Sequence, residues 1–507
     1  VLVLYLIAMV VIIPTVVAVW YNNSKQYGEN NIKHDTYNTY YTILNATDRL
    51  ENLPEVLASS AECREINTPK PSDNKPMGLL HGQMTNQKLM IKPKFKNAMV
   101  LRGNVLLHAH MLRLTDKLNA TLSEDLAAML SRAPELIDGI VEIAYQRKHL
   151  DLSLAAIQFA QCVVQGLWTA PGNLDAPTHL KGQELAEYRR KAALNKSLEQ
   201  LPNFNKQAVA AVTTGTKDVP AQAQSLGEYL RVPDSYKKGM EGMTQEQQND
   251  VLSACALIPN LKVTTKLFVE EEEQDFLDAD EDQDQGESSQ ALAKKEDSAE
   301  AISGDQIYEQ DLVTLRITLT RENVPKGSQA GPAYAPHFPK TVRENWWVVL
   351  TAESGGGPAA GGGKSNNKGE PIIYAFEKVS SQDREVKHEV RFMAPQQQGT
   401  YQLNLRVLSD KYLGLDQSLS LSYNVLPSSL LPEYQPHPED KELDNEPTLF
   451  EQVMAANVDE ESSDEEDGDD DEDDEDEGEA AVVNNGGKRL PQSNVVEDVD
   501  DDSEEED

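Results

Sequence analysis

The hydrophobic pattern of this chain changes its period near residue 310. Before that point, apolar residues recur at steps of three and four, the period of an amphipathic helix. In the clearest helix they form one face: Leu152, Ala156, Phe159, Ala160, Val163, Val164 and Leu167. Beyond that point, apolar and polar residues alternate, which is typical of half-buried strands. The pattern therefore predicts an α+β chain whose helical region precedes an all-β region.

These two periods set the predicted domain boundaries. We expect an all-α helical domain over residues 98–266, with one of its helices beginning near Pro134, since proline favours a first helical turn. Six or seven alternating runs with turn residues between them predict a β-sandwich over residues 310–426. Between the two domains, the acidic, low-complexity residues 267–309 are typical of a linker.

The first 21 residues contain no charged side chain. An uncharged run of this length can cross a hydrocarbon core of about 30 Å as a helix. Trp20 and Tyr21 stand where an interfacial aromatic belt would fall. We therefore expect an N-terminal transmembrane helix over residues 1–21, followed by a juxtamembrane segment over residues 22–97. Basic residues after the span predict that the body faces the cytosol.

Acidic residues concentrate at the other end of the chain. Residues 459–479 contain 17 Asp and Glu, residues 497–507 contain 9 more, and the net charge of the chain is −39. Like charges at this density repel each other and keep a segment extended in water. We expect residues 427–507 to form a disordered acidic tail that either keeps the chain soluble or attracts a basic partner. Nucleic acid is not an expected partner, because phosphates call for Lys and Arg clusters.

The sequence offers no recognisable catalytic or metal-binding pattern. The run GGGKS resembles a phosphate-binding loop, but Pro358 stands where that motif needs glycine. His108 and His110 are two residues apart and so do not share a helical face. The three cysteines are too widely spaced for a metal or disulfide motif. We therefore expect a protein that binds partners, without enzymatic activity or a cofactor.

Several motifs together resemble one family. The segment TLRITLTRE precedes the paired tryptophans Trp346 and Trp347, and FMAPQQQGTYQLNLRVLSDKYLGLDQ follows over residues 392–417. With the predicted span and acidic tail, this order is similar to the C-terminal two-thirds of the Sec63 family, subunits of the endoplasmic-reticulum protein translocation complex. RNA helicases share the helical and sandwich module but lack the span.

The resemblance implies a fold and a set of partners. The sandwich, which is fibronectin-III-like in this family, docks on cytosolic loops of the translocation channel and promotes gate opening during post-translational import. The acidic tail binds a basic subunit of the Sec-sixty-two type. A lumenal J-domain recruits a lumenal ATPase chaperone, and we expect this chain to be a C-terminal portion without that domain. The implied location is the endoplasmic-reticulum membrane, with the body facing the cytosol.

Four residues of the sandwich are candidates for channel docking. Trp346 and Trp347 point to opposite faces if they share a strand, so one is core and the other is exposed or covered. Tyr412 and Leu413 lie in a loop, and loops often carry binding residues, although Tyr412 is as readily a packing corner.

The acidic tail contains two candidate phosphorylation sites. Ser462 and Ser463 stand directly before DEED. In the resembling family, a kinase of the casein-kinase-two type acts on such serines, and each phosphate adds negative charge.

Two other functions remain open at this point. The shared module allows a helicase-associated regulatory cassette in an RNA-processing complex. The tail alone would allow an acidic scaffold for basic proteins.

The tail provides the first testable prediction. Deleting residues 459–507 should leave the two folded domains intact, because the tail contributes no apolar burial. Binding to a basic peptide should weaken, and the lost part should be the salt-sensitive part. Calorimetric titration of the intact and shortened chains at low and high salt measures this. An affinity of the intact chain that is the same at both salt concentrations contradicts the prediction.

Overall fold

The computed structural model describes most of the chain up to residue 430. The described residues are 9, 13, 15, 28, 31–86, 89–169, 180–215, 220–269, 300–301, 306–352 and 371–430. Most of the predicted acidic linker, and the predicted acidic tail beyond residue 430, lie outside them. The described residues belong to a single unit, Val1–Leu431.

The described part of the chain contains eleven α-helices. They are α1 (His34–Ile43), α2 (Leu53–Ala58), α3 (Ala61–Ile66), α4 (Asn74–Asn86), α5 (Ala98–Met111), α6 (Ala120–Gln146), α7 (Leu150–Gln165), α8 (Gly182–Lys196), α9 (Lys206–Thr213), α10 (Leu226–Arg231) and α11 (Gln245–Leu257). Side-chain oxygens of Asn97, Asn119 and Asn205 accept from backbone N–H groups at the starts of α5, α6 and α9. These caps satisfy donors that a helix start leaves without partners.

Helix α6 is continuous, so the prediction that a helix begins near Pro134 is wrong. Pro134 lies inside this 27-residue helix. Leu126, Met129 and Leu130 before it and Ile137 after it are buried on one face of the helix. Burial of that face outweighs the cost of a proline in a helix interior, about 3 kcal/mol.

Nine strands follow the helices in the described residues. They are β1 (Leu261–Val269), β2 (Glu300–Ala301), β3 (Ile307–Tyr308), β4 (Leu312–Arg321), β5 (Trp346–Ala352), β6 (Ile372–Val379), β7 (Glu385–Met393), β8 (Gly399–Ser409) and β9 (Gln417–Leu426). One antiparallel sheet has the order β1-β4-β7. The other has the order β2-β9-β8-β5-β6, and the short strands β2 and β3 pair with β9 in parallel.

Strand β1 belongs to the sandwich although it precedes the acidic run. It pairs with β4 from Leu261↔Arg321 to Val269↔Val313. Most of this strand falls within residues 98–266, the range predicted for the helical domain. The Gln417 side chain donates to the Leu261 backbone oxygen at 2.7 Å and so ties the start of β1 to the start of β9. The sandwich therefore draws its strands from both sides of the acidic run.

Two hydrophobic cores join the helices to the sandwich. The first contains the buried faces of α6 and α7, including Phe159 and Cys162, together with Val349, Phe376 and Leu408 of the sandwich. The second lies between the two sheets and is extended by buried residues of the later helices: Leu198, Leu226, Tyr229 and Val251. The helical region and the sandwich therefore share two apolar cores.

The prediction of an N-terminal transmembrane helix is wrong, and with it the predicted fold class as a whole. Among the described residues, no helix is both long and apolar enough to cross a membrane. The longest of them, α6, contains six charged residues and buries one face in the protein. Of residues 1–21, only residues 9, 13 and 15 are described. The described chain is a mixed helix and sheet protein.

Two buried histidines in α5 make the fold sensitive to acid. The Nδ1–H group of His108 donates to the Asn104 carbonyl at 2.9 Å, and the Nε2–H group of His110 donates to the Val163 carbonyl at 2.7 Å. Burial lowers the pKa of each imidazole to about 4, and the neighbouring charges of His337 and Arg113 also lower that of His110. Both side chains are therefore neutral at pH 7.

We expect the contribution of these two histidines to the free energy of unfolding to fall as the pH falls from 6.5 towards 4, because their imidazoles then bind protons in the unfolded chain that the folded chain excludes. Each histidine should contribute a loss of roughly 2 kcal/mol between pH 8 and pH 5. Urea unfolding at the two pH values measures this loss. His108→Phe should reduce it, whereas replacing exposed His34 with Asn should not. An unchanged loss in the His108→Phe chain refutes the assignment.

Candidate functional site

The loop between β8 and β9 lies in the interior of the protein. This segment, residues 409–417, reads SDKYLGLDQ and is called the joint loop below. Lys411, Tyr412 and Leu413 are buried, although a loop usually runs over the surface. A buried loop needs partners for its backbone N–H and C=O groups. Those partners come from the helical region.

Two glutamines of α7 donate to the joint loop. The Nε2 group of Gln161 lies 2.6 Å from the Ser409 carbonyl oxygen and 3.0 Å from Oδ1 of Asp416. One turn further along α7, the Nε2 group of Gln165 donates to the Lys411 carbonyl at 2.9 Å. Both glutamines are almost fully buried. Their amides therefore satisfy carbonyls that the loop takes out of water.

A third glutamine pairs with the loop in both directions. The Leu413 backbone N–H donates to Oε1 of Gln200 at 3.0 Å, and Nε2 of Gln200 donates to the Leu413 carbonyl at 2.8 Å. Gly414 follows with φ of +77°, and a Cβ at this position would lie 2.4 Å from Oγ of Ser197. Both the conformation and the close approach require glycine here.

Charged groups form a second link between α6 and the sandwich. Nζ of Lys378 lies 2.7 Å from Oδ2 of Asp138 and 3.7 Å from Oδ2 of Asp410. The same ammonium group lies over the Trp347 ring, 5.2 Å from its centroid. Burial raises the pKa of Asp138, and Lys378 acts in the opposite direction. Asp410 also accepts from the Asn345 backbone N–H at 2.8 Å, so it holds the start of β5.

Asp416 lies at the end of the joint loop beside an open cleft. Its Oδ1 accepts from the Ser409 backbone N–H at 2.9 Å as well as from Gln161. Although Asp416 keeps access to solvent through the cleft, the surrounding protein removes enough water to raise the pKa of its carboxyl to about 6. The two hydrogen bonds lower that pKa and so limit the rise.

The four predicted docking residues are covered to different degrees. Trp346 is fully buried between the sheets, and Tyr412 and Leu413 are buried in the joint loop. The Tyr412 hydroxyl accepts from the Tyr334 backbone N–H at 2.7 Å. Trp347 faces the helical region, where it packs 5.2 Å from the Phe376 ring centroid. Their role in channel docking stays a prediction. Ser462 and Ser463 lie outside the described residues.

A second surface, at the far end of the sandwich, exposes apolar side chains. Leu312 and Met393 are register partners on β4 and β7 and are 43% and 57% exposed. Ile372 is 50% exposed at the start of β6, two residues before the partly buried Tyr374. The Tyr374 ring contacts the Phe392 ring, with centroids 4.8 Å apart, and so bridges the two sheets. We call Leu312, Ile372, Tyr374 and Met393 the apolar end.

Sequence reasoning did not find the apolar end. Leu312, Ile372 and Met393 each stand at the terminus of a strand, and a single apolar residue at such a position gives no sequence signal for a surface. No metal site accompanies either surface: within the described residues, no three His, Cys, Asp or Glu side chains are grouped to hold a metal ion.

We expect Gln200→Met to lower the free energy of unfolding by about 1–3 kcal/mol, because it leaves the buried N–H and C=O groups of Leu413 without partners. Gln158→Met is a matched control, since Gln158 is only partly buried and makes a single 3.3 Å bond to Thr169. That change should stay within about 0.5 kcal/mol. Urea unfolding of both chains compares them, and equal losses would mean that Gln200 does not hold the loop.

Comparisons with known proteins place these features in a family. The family model of the Sec63 Brl domain matches residues 27–422. The human U5 small nuclear ribonucleoprotein 200 kDa helicase is 25% identical over 394 residues, which are 78% of this chain and 14% of the helicase. The Arabidopsis thaliana DnaJ protein ERDJ2B is 22% identical over 468 residues, which are 84% of this chain and 62% of that protein.

These matches cover part of each relative. The Arabidopsis thaliana DnaJ protein ERDJ2A is 22% identical over 469 residues and is covered to 61%. The chain thus spans less than two thirds of the length of these relatives. Among solved structures, Pseudomonas fluorescens alkylpurine DNA glycosylase AlkC aligns with 75% of this chain at 11% identity and a TM-score of 0.14, too low to indicate a shared fold. Since the family model covers more than half of its residues, the chain belongs to the Sec63 Brl domain family.

Proposed function

We propose that this chain is a non-enzymatic subunit of the endoplasmic-reticulum protein translocation machinery and docks its sandwich on the channel. The observation that supports this best is the match to ERDJ2B, which covers 84% of this chain and 62% of the relative. The helicase match covers 78% of the chain but 14% of the helicase. The match to the DnaJ protein therefore covers a larger share of this chain and of the relative than the match to the helicase does.

The proposed docking surface is the apolar end of the sandwich. A partner cannot reach Trp346 or Tyr412 without opening the core or the joint loop. At the apolar end, in contrast, Leu312 and Met393 are exposed on the adjacent strands β4 and β7, and Ile372 is exposed at the start of β6 in the other sheet. Exposed apolar side chains that lie together often mark protein interaction sites.

The two functional surfaces lie at opposite ends of the sandwich. Strand β8 starts at Gly399, near the ring cluster of the apolar end, and finishes at Ser409 in the joint loop. Its length corresponds to roughly 30–35 Å. The helical region therefore holds one end, and we place the channel contact at the other, where Leu312, Ile372 and Met393 are partly exposed.

We also propose that the acidic tail attracts a basic partner subunit. The runs over residues 459–479 and 497–507 would raise the association rate with a positively charged segment. Phosphorylation of Ser462 or Ser463 would add charge to the same run. This tail lies outside the described residues, so the support comes from the sequence and from the family resemblance.

A docking experiment tests this function. The full chain with Leu312→Glu and Met393→Glu should recover at least about fivefold less translocation channel from detergent-solubilised endoplasmic-reticulum membranes, because carboxylates replace the apolar contact. Leu257→Glu is the matched control, since Leu257 is also 57% exposed but lies on α11, outside the apolar end. Equal recovery with all chains rejects the docking surface. Recovery of ribonucleoprotein in place of the channel favours the helicase-associated function.

A further inference from the structure

Helix α8 is unusual because none of its residues is buried. It has 15 residues, Gly182–Lys196, whereas each other described helix of eight residues or more contains at least two buried residues. Helices in proteins obtain most of their stability from packing one face against a partner. Among the described residues, the contacts that should stabilise one face of α8 are therefore incomplete.

One face of α8 lines the cleft beside Asp416. This cleft has a volume of about 810 Å³ and lies between α8, α7 and the joint loop. The residues that α8 contributes recur at helical spacing: Gly182, Leu185, Ala186, Arg189, Arg190, Ala193 and Leu194. Such spacing places them on a single face that extends for about 18 Å. The cleft is therefore an elongated groove along the incompletely packed helix.

The opposite wall of the groove is largely apolar. Leu154 and Ile157 of α7 form one part of this wall, and Leu408 and Leu413 form the part nearest the joint loop. Ile157, Leu408 and Leu413 are already buried, so the apolar surface left for a ligand comes mainly from the partly exposed Leu154, Leu185 and Leu194. Burial of apolar area is the main favourable contribution to such docking.

Four guanidinium groups line the groove. They belong to Arg49, Arg189, Arg190 and Arg406, and none forms an ion pair with another described residue. Nε of Arg189 is shielded from solvent and has no hydrogen-bond acceptor. A buried donor without a partner is costly, and a carboxylate in the groove would satisfy it.

Three acidic residues, Glu51, Asp151 and Asp416, also line the groove. Asp416 accepts from Ser409 and Gln161, and the rise in its pKa reduces its negative charge near pH 6. Asp151 stands in the first turn of α7 and Glu51 in the first turn of the short helix Leu50–Asn52, where acids favour the positive helix start. The four arginines outnumber these acids, and they are the groups of the groove that can pair with a carboxylate ligand.

We propose that this groove binds an acidic amphipathic segment of a partner protein, with carboxylates on the arginines and apolar side chains against the leucines. An acidic partner is compatible with the net charge of −39, because exposed charges more than about 8 Å apart are largely screened at physiological salt. The length and apolar wall of the groove favour a helical segment of roughly 12 residues over a small anion. This inference is independent of the function proposed above.

A binding measurement on the full chain tests the groove. The probe is a fluorescein-labelled synthetic peptide of about 16 residues, built from Glu, Ala and Leu with the leucines at helical spacing. Its Kd is read by fluorescence anisotropy, and a peptide with Lys in place of Glu is the charge control. We expect the acidic peptide to bind more tightly than the basic one, and the binding to weaken at high salt.

Two neighbouring substitutions separate groove binding from general charge effects. Arg190→Glu should raise the Kd for the acidic peptide about fivefold or more, the change expected for a pair worth about 1 kcal/mol. Lys191→Glu makes the same charge change one residue along α8, outside the groove, and should change the Kd less than about twofold. Circular dichroism confirms that both variants keep the fold.

Three outcomes overturn the proposal. Equal weakening by both substitutions means that binding follows the overall charge of α8. If Arg190→Glu leaves the Kd for the acidic peptide unchanged, the groove does not bind the peptide. A chain without residues 270–299 that binds the probe about tenfold more tightly than the intact chain means that the chain's own acidic run occupies the groove, in place of a partner.

Discussion

The hydrogen bonds between three glutamine side chains and the backbone of the joint loop fix how the helical region meets the sandwich. Gln161, Gln165 and Gln200 come from the helical region, and they pair with backbone groups of residues 409–413 that the fold removes from water. A buried N–H or C=O group without a partner costs about 1–3 kcal/mol. Removing one of these amides therefore destabilises the fold by more than the net stabilisation of a single hydrogen bond. The shared apolar cores bring the helices and the sandwich together, but these amides fix one position of the loop against α7.

The sequence predicted the regular elements better than their connections. The alternating residues Val313, Leu315, Ile317 and Leu319 are the buried side of β4, and the apolar face of residues 150–167 is the buried face of α7. Such periods are local and can be read from one segment. Gln161 and Gln165 gave no such signal, because a glutamine on a helix is usually solvated and its partners lie more than 200 residues away. Pro134 was misread because a tertiary contact outweighed a local preference.

The segment behind the family resemblance, residues 392–417, does not decide the function. The segment that carries most of the resemblance ends in the joint loop, and its residues Asp410, Tyr412, Gly414 and Asp416 bond or pack within this chain. Residues needed to assemble the module are expected in every protein that uses it. The Sec63 Brl domain model includes this region, and the helicase and the DnaJ proteins each match most of the chain. Differences in function must therefore come from surfaces such as the apolar end and the groove along α8.

The joint loop and the glutamines that bind it are far apart in the sequence, and this has a consequence for folding during synthesis. Gln161 and Asp416 are 255 residues apart, so α7 leaves the ribosome long before the loop that its glutamines require. At roughly 5–20 residues per second, that interval lasts from about 10 to 50 seconds. During this time the buried faces of α6 and α7, which later share a core with Val349, Phe376 and Leu408, have no sandwich to meet. We expect the nascent helical region to be a client for molecular chaperones until the joint loop has been synthesised.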